Sequence, residues 1–134
     1  MISDAVFDTN ILVSGLLFPQ SVPGKVLDAI LEGHCSPIIS DAILVEYENV
    51  LRRPKFKFPH ARVNHILDAF RIVGIPASFA LSKHRSQFPD PDDLIFVEAA
   101  LSLNSVLVTG NKRHYPASLM QGVCVLSPAE FLSS

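Results

Sequence analysis

The chain has 134 residues, 49% of them apolar and 18% charged, with a net charge of −2. With a mean hydropathy of +0.33, this composition excludes a disordered or low-complexity protein. No run approaches the roughly 18–20 apolar residues of a membrane helix, and the acidic start MISDAVFDTN lacks the Lys or Arg of a secretory leader, so a cytoplasmic location is expected. The length suits one domain over residues 1–134 with a substantial core. Cys35 and Cys124 are too few for a disulfide framework, and their apolar, strand-like surroundings read as buried reduced thiols.

In chain order, residues 2–7 read as a strand ending at Phe7-Asp8, followed by a short helix over 10–17. Ser21 is placed to cap a helix over 22–33, whose Val26, Leu27, Ile30 and Leu31 form an apolar stripe. Cys35 to Ile39 reads as a second strand, and Ser40 as the cap of a helix from Asp41 to Arg53, stopped by Pro54. The period of Val63, Ile66, Leu67 and Phe70 gives a helix over 60–73, closed by Gly74. Ile75 to Leu81 is a candidate strand. Asp90-Pro91 then opens a helix over 91–103, apolar almost all round and so buried on most sides. Ser105 to Thr109 lacks alternation, which suits a parallel strand covered on both faces; Val123 to Leu126 is another. Ser127-Pro128-Ala129-Glu130 spells a capping box with Pro at the first helical position. The order is α/β, with a central, mostly parallel sheet flanked by helices on both faces.

In such sheets, chemistry gathers beyond the carboxyl ends of the strands. Two polar clusters are expected there, Asp8-Thr9-Asn10 and Thr109-Gly110-Asn111-Lys112. Asp8 has a plain alternative as a helix N-cap, worth about 0.5–2 kcal/mol. Glu46 shares a helix face with Ile43, Tyr47 and Val50, so it needs a partner or a metal, the plain alternative being a salt bridge to Arg53 at the edge of the core; Glu48 reads as solvent-facing. Asp90, Asp92 and Asp93 crowd one helix start. The helix dipole rewards acids there, but three exceed what capping requires, and Asp93 precedes the apolar face. If Asp8, Glu46 and Asp93 converge to about 5 Å, each pair repels by roughly 3 kcal/mol at an effective dielectric of 20. Protons or a divalent cation relieve that, and oxygen ligands select Mg²⁺ or Mn²⁺ over Zn²⁺.

Five of the eleven basic residues, Arg52, Arg53, Lys55, Lys57 and Arg62, lie in an acid-free stretch with Phe56 and Phe58 interleaved, and Lys112-Arg113 follow later. The plain reading is a solvated face with both rings packed beneath neighbouring helices. The functional one is a lobe that holds a polyanion beside a metal pocket. Asp8-Thr9-Asn10 is not the Asp-x-Asp of a haloacid-dehalogenase-type phosphatase, and an Asp at the first strand's end does not suit a phosphoacceptor receiver. The histidines show no zinc spacing, and neither a phosphate loop nor a G-x-S-x-G elbow is present.

Phe7-Asp8-Thr9-Asn10, Leu44-Val45-Glu46-Tyr47 with Val50-Leu51-Arg52-Arg53-Pro54, Asp90-Pro91-Asp92-Asp93, and Leu107-Val108-Thr109-Gly110-Asn111-Lys112 resemble, in order and spacing, the motifs of PIN domains. The nearest group is the toxin components of prokaryotic toxin–antitoxin systems. The resemblance implies a divalent-metal-dependent endoribonuclease acting on RNA, with a cognate antitoxin protein as partner; self-association as a homo-oligomer stays open. By position it implies that Asp8, Glu46 and Asp93 bind Mg²⁺ (or Mn²⁺), that Asn111 completes the catalytic set, and that Thr9, Asn10, Asp90, Asp92 and Thr109 support it. Arg52, Arg53, Lys55, Lys57, Lys112 and Arg113 are the expected RNA contacts. Asn111 stands where many members carry a fourth acid, which removes one negative charge. A non-catalytic PIN-like module that binds RNA or protein is the alternative.

Overall fold

A computed structural model describes residues 1–134. It contains a five-stranded, all-parallel sheet of β1 (Asp4–Phe7), β2 (Ser36–Ile39), β3 (Ile75–Pro76), β4 (Val106–Val108) and β5 (Val125–Leu126), in spatial order β3-β2-β1-β4-β5. The helices are α1 (Thr9–Leu17), α2 (Val22–Leu31), α3 (Asp41–Leu51), α4 (His60–Val73), α5 (Leu94–Leu103) and α6 (Pro128–Leu132). The chain winds from β1 to β3 in one direction and from β4 to β5 in the other. The topological switch point therefore falls between β1 and β4, where a doubly wound sheet opens a crevice at its carboxyl edge.

The core follows from the strands' composition. Ala5, Val6, Phe7, Ile38, Leu107 and Val108 are fully buried, and they join one contiguous apolar cluster with α3, α4 and α5. Of α5, Leu94, Phe96, Val97, Ala99 and Ala100 are buried, as its all-round hydropathy implies. The side chains of Ser21, Ser40 and Ser127 accept from the backbone N–H groups of Gly24, Ile43 and Glu130, and the Ser127–Glu130 capping box is reciprocal.

Several elements are shorter than the sequence suggests. β1 begins at Asp4, β2 at Ser36, and α2 and α3 end at Leu31 and Leu51. Pro54 does not stop α3; it opens a separate 3-10 turn, Pro54–Phe56. β3 is two residues rather than seven; the Ala77 N–H still donates to the Ile39 carbonyl at 2.7 Å, so Pro76, which has no N–H, sits with its nitrogen toward the free edge. The same proline blunts the edge of the sheet. Asp90-Pro91 opens a 3-10 turn, Pro91–Asp93, and α5 proper starts at Leu94. Gly74 ends α4 for a packing reason and not by a left-handed turn: its φ is −75°. A Cβ there would lie 2.4 Å from the Phe70 carbonyl oxygen and 2.8 Å from Ile39 Cδ1. Cys35 is buried as expected, but Cys124 is exposed.

Candidate active site at the switch point

Phe7 pairs with Val108, so the next residues, Asp8 and Thr109, leave the sheet side by side. The Asp8 N–H still donates to the Val108 carbonyl at 3.0 Å. Asp8 occupies the N-cap position of α1 but makes no capping hydrogen bond. Its carboxylate is 6% exposed and is held otherwise. Oδ2 accepts from Thr109 Oγ1 at 2.8 Å, Tyr115 OH at 3.0 Å and Asn10 Nδ2 at 3.1 Å. Hydrogen bonds to a charged group contribute about 1.5–3 kcal/mol each, which offsets the cost of burying the charge. All three donors converge on Oδ2, and Oδ1 accepts none.

Asn10 ties the two strand ends together. Its Oδ1 accepts from the Gly110 N–H at 3.1 Å, and its Nδ2 reaches Thr109 Oγ1 at 3.4 Å. Thr109 Oγ1 also accepts from the Asn111 N–H at 3.1 Å. Asn111 itself is exposed, with no hydrogen bond from its side chain. Thr9 Oγ1 is buried and has no partner.

Asp93 closes the 3-10 turn before α5 and is 8% exposed. His114 Nδ1 lies 3.0 Å from Asp93 Oδ2, an ion-pair distance with poor hydrogen-bond alignment, so Oδ2 is a buried oxygen paired by charge more than by a well-aligned donor. Burial, then the charge of Asp8, pushes the Asp93 carboxyl up to about 6; His114 pulls against this and Asp90 adds to it. Asp90 is occupied as a cap, accepting from the Asp92 N–H at 2.9 Å, and Asp92 is exposed.

Glu46 is half-buried on α3 and makes no ion pair, with Arg53 or any other cation. Burial raises its pKa, and so do the charges of Asp92, Asp8 and Asp90, while Arg53 lowers it. Its neighbour Tyr47 is fully buried and donates to the Phe7 carbonyl at 2.6 Å. That bond, with stacking on Phe96 and an edge contact to Phe70, fixes α3 against the end of β1. Burial and the charge of Asp8 raise the Tyr47 hydroxyl's pKa, and both act on Tyr115 in the same way, so both stay donors.

Asp8, Glu46 and Asp93 thus share one electrostatic field. They are not drawn into a closed cage: no three His, Cys, Asp or Glu side chains stand close enough to grip an ion between them. The donor set still fits a hard divalent cation. It offers carboxylate oxygens only, an Asp93 Oδ2 whose near neighbour is the His114 imidazole, an unengaged Asp8 Oδ1, and two acids, Glu46 and Asp93, whose proton affinity the neighbouring charges raise.

Of the cations in the basic stretch, Arg52 is committed within the fold. It bonds Glu48 Oε2 through Nε and Nη2 at 3.1 and 3.0 Å, and reaches His60 Nδ1 and Asn64 Oδ1. Glu48 is therefore not simply solvent-facing. Lys112 pairs with Glu130, and this hydrogen bond, with that from the Ser127 N–H, holds the Glu130 carboxyl down at about 2. Arg53, Lys55, Lys57 and Arg113 are exposed and make no ion pair. Phe58 packs at the core's edge, as the plain reading expects, but Phe56 does not. Tyr115 and His114 are the contacts to the acids that the sequence left unmarked.

An all-parallel sheet with acids at its switch point defines an α/β domain whose chemistry sits at that carboxyl edge. Residues 4–113 match the PIN domain family, and the chain belongs to it. PIN domains are generally nucleases and typically use a divalent metal. The chain is also similar to an uncharacterized protein, MJ1680, of Methanocaldococcus jannaschii: 31% identical over 110 residues, covering 80% of this chain and 70% of that protein. No helix is long and apolar enough to cross a membrane.

Proposed function

We propose that the protein is a divalent-metal-dependent endoribonuclease, the toxin of a toxin–antitoxin pair whose antitoxin protein is its partner. The observation that carries the reading is the Asp8 carboxylate, buried at the switch point with Oδ2 held by three donors and Oδ1 left without one. Thr109, Tyr115 and Asn10 spend themselves on orienting Asp8. Asp8, Asp93 and Glu46 would hold Mg²⁺ or Mn²⁺, which supplies an activated water and a Lewis acid at the scissile phosphate. Tyr47 sets the height of Glu46 by anchoring α3 to the Phe7 carbonyl. Asn111 offers an amide oxygen without charge. Arg53, Lys55, Lys57 and Arg113 draw in the polyanion.

A titration of Mg²⁺ and Mn²⁺ against cleavage of structured and single-stranded RNA tests this. Wild-type protein should cleave only with metal, and metal should raise its melting temperature, since a ligand specific to the folded state adds RT ln(1 + [L]/Kd). Asp8→Asn should lose both effects and keep the fold. Cleavage by Asp8→Asn at the wild-type rate would sink the assignment. The open arrangement of the three acids favours a second reading, a PIN-like binding module without catalysis; RNA binding with no cleavage at any metal concentration would select it.

A further inference from the structure

Phe56 and Phe58 flank Lys57, whose left-handed backbone (φ 56°, ψ 30°) turns the chain so that the two rings stack. Their centroids are 5.5 Å apart and their planes 15° apart. Phe58 is anchored at the edge of the core, whereas Phe56 lies half-exposed on top of it. Lys55 Nζ sits 5.0 Å from the centroid of Phe56. An exposed lysine is a loose cover, held by a weak cation–π contact. Close to the pair along the chain are Arg53, Lys55, Lys57 and Arg62, all exposed and none in an ion pair.

We infer that Phe56, seated on Phe58 and flanked in the chain by Arg53, Lys55 and Lys57, is a stacking subsite for an unpaired base of an RNA strand that passes the acidic site. An aromatic face beside several free cations has the chemistry of single-strand recognition: every base offers a π-face, and the cations take the flanking phosphates. A base-paired duplex hides its π-faces and can use only the cations. The base displaces Lys55 from the ring and frees its ammonium for phosphate. The position also suits the strand's course. Glu46 and Arg53 are seven residues apart along α3 and its C-terminal turn, about 10 Å at the helical rise. A strand with one phosphate at the acids thus has Arg53 within reach of a nearby phosphate, and Phe56 follows three residues on in the adjoining turn. The inference rests on the nuclease reading for its choice of RNA, and it restricts the substrate to unpaired segments.

The test is binding, in chelator and without cleavage, of a short single-stranded RNA carrying the fluorescent base 2-aminopurine, and of a duplex of equal length. Wild-type protein should quench the 2-aminopurine. Phe56→Ala should abolish the quenching and weaken single-strand binding about 5- to 150-fold, equivalent to roughly 1–3 kcal/mol for one stacked base. It should change duplex binding less than about twofold. Phe56→Tyr should restore both signals, and Phe79→Ala, at an aromatic 82% exposed and outside the cationic stretch, should change neither. Lys57→Gly keeps the left-handed turn accessible and should flatten the log–log salt slope by about 0.7 for one lost single-strand contact. Equal losses on single strand and duplex, or unaltered quenching in a folded Phe56→Ala, would overturn the inference; so would no RNA binding. Phe56-dependent stacking without cleavage when Mg²⁺ is restored would overturn the nuclease reading alone.

Discussion

At the scale of single residues, the acids at the switch point set the protein's response to pH. Asp93 faces Asp8 and Asp90, which raise its carboxyl, and His114, which lowers it; burial is the largest influence, and the folded value is about 6 against an ordinary 3.8. A raised carboxyl favours folding only while it is protonated. Below about pH 4 it carries its proton in both states and costs nothing. Between about 4 and 6 the unfolded chain ionises first, so stability is lost as pH rises, and the loss is complete above about 6. In metal-free buffer, the melting temperature of Asp93→Asn should therefore rise relative to wild type as pH goes from 4 to 7. A difference that is flat with pH would show that Asp93 ionises in the fold as it does in the unfolded chain.

Asn111 allows a second expectation at this scale. An acid there adds one charge next to a pocket already short of counter-charge. Asn111→Asp should bind Mg²⁺ more tightly without RNA and shift the cleavage optimum to lower metal, measured by titration calorimetry and rate. An unchanged metal dependence would place residue 111 outside the pocket and leave Asp90 or Asp92 to complete the set. Asp8, Asn10, Asp93 and Thr109 were legible because each abuts a strand end or a helix start with a recognisable pattern. Tyr115 and His114 were not: their reach to Asp8 and Asp93 depends on the 3-10 turn Lys112–His114, and no period or cap signals that turn.

At the scale of elements, α3 is the piece that serves both sides of the site. Its middle carries Glu46 and Tyr47. Its end is clamped to the start of α4 by Arg52, whose side chain is 25% exposed and holds Glu48, His60 and Asn64 together. Arg52→Ala should lower stability by about 1 kcal/mol, the upper range for a partly exposed pair, seen in urea unfolding. Its RNA affinity should fall less than that of Arg53→Ala, where charge alone suggests equal losses. Helix identity was readable here because capping serines and apolar periods agree. The committed role of Arg52 was not, because its partners lie on the next helix.

β2 and β5 differ in how they treat their thiols. Cys35 is buried just before β2, where burial and then Asp4 push its pKa up to about 12. Cys124, just before β5, is exposed. Since the thiolate is the reactive form, iodoacetamide at pH 8 should label one thiol per native chain and two in denaturant, counted by mass spectrometry. The apolar sequence around Cys124 concealed this, because β5 is only two residues long and leaves its preceding residue in a loop.

Across the whole molecule, non-alternating strands separated by helical periods were enough to give a mostly parallel α/β sheet; that all five strands are parallel is seen only in the structure. The strand order was not readable, since nothing local in β4 says that it pairs with β1 rather than β3. That pairing joins Thr109 to Asp8 across 101 residues. It also sets when the site can come into being. Contacts so distant in sequence close late in folding, because the loop entropy must be met before they contribute. A chain still being synthesised has Asp8 and Asn10 in place and yet lacks Thr109 and Tyr115, the other two donors to the carboxylate. The Asp8 carboxylate of each molecule is therefore seated only once the last third of the chain has arrived.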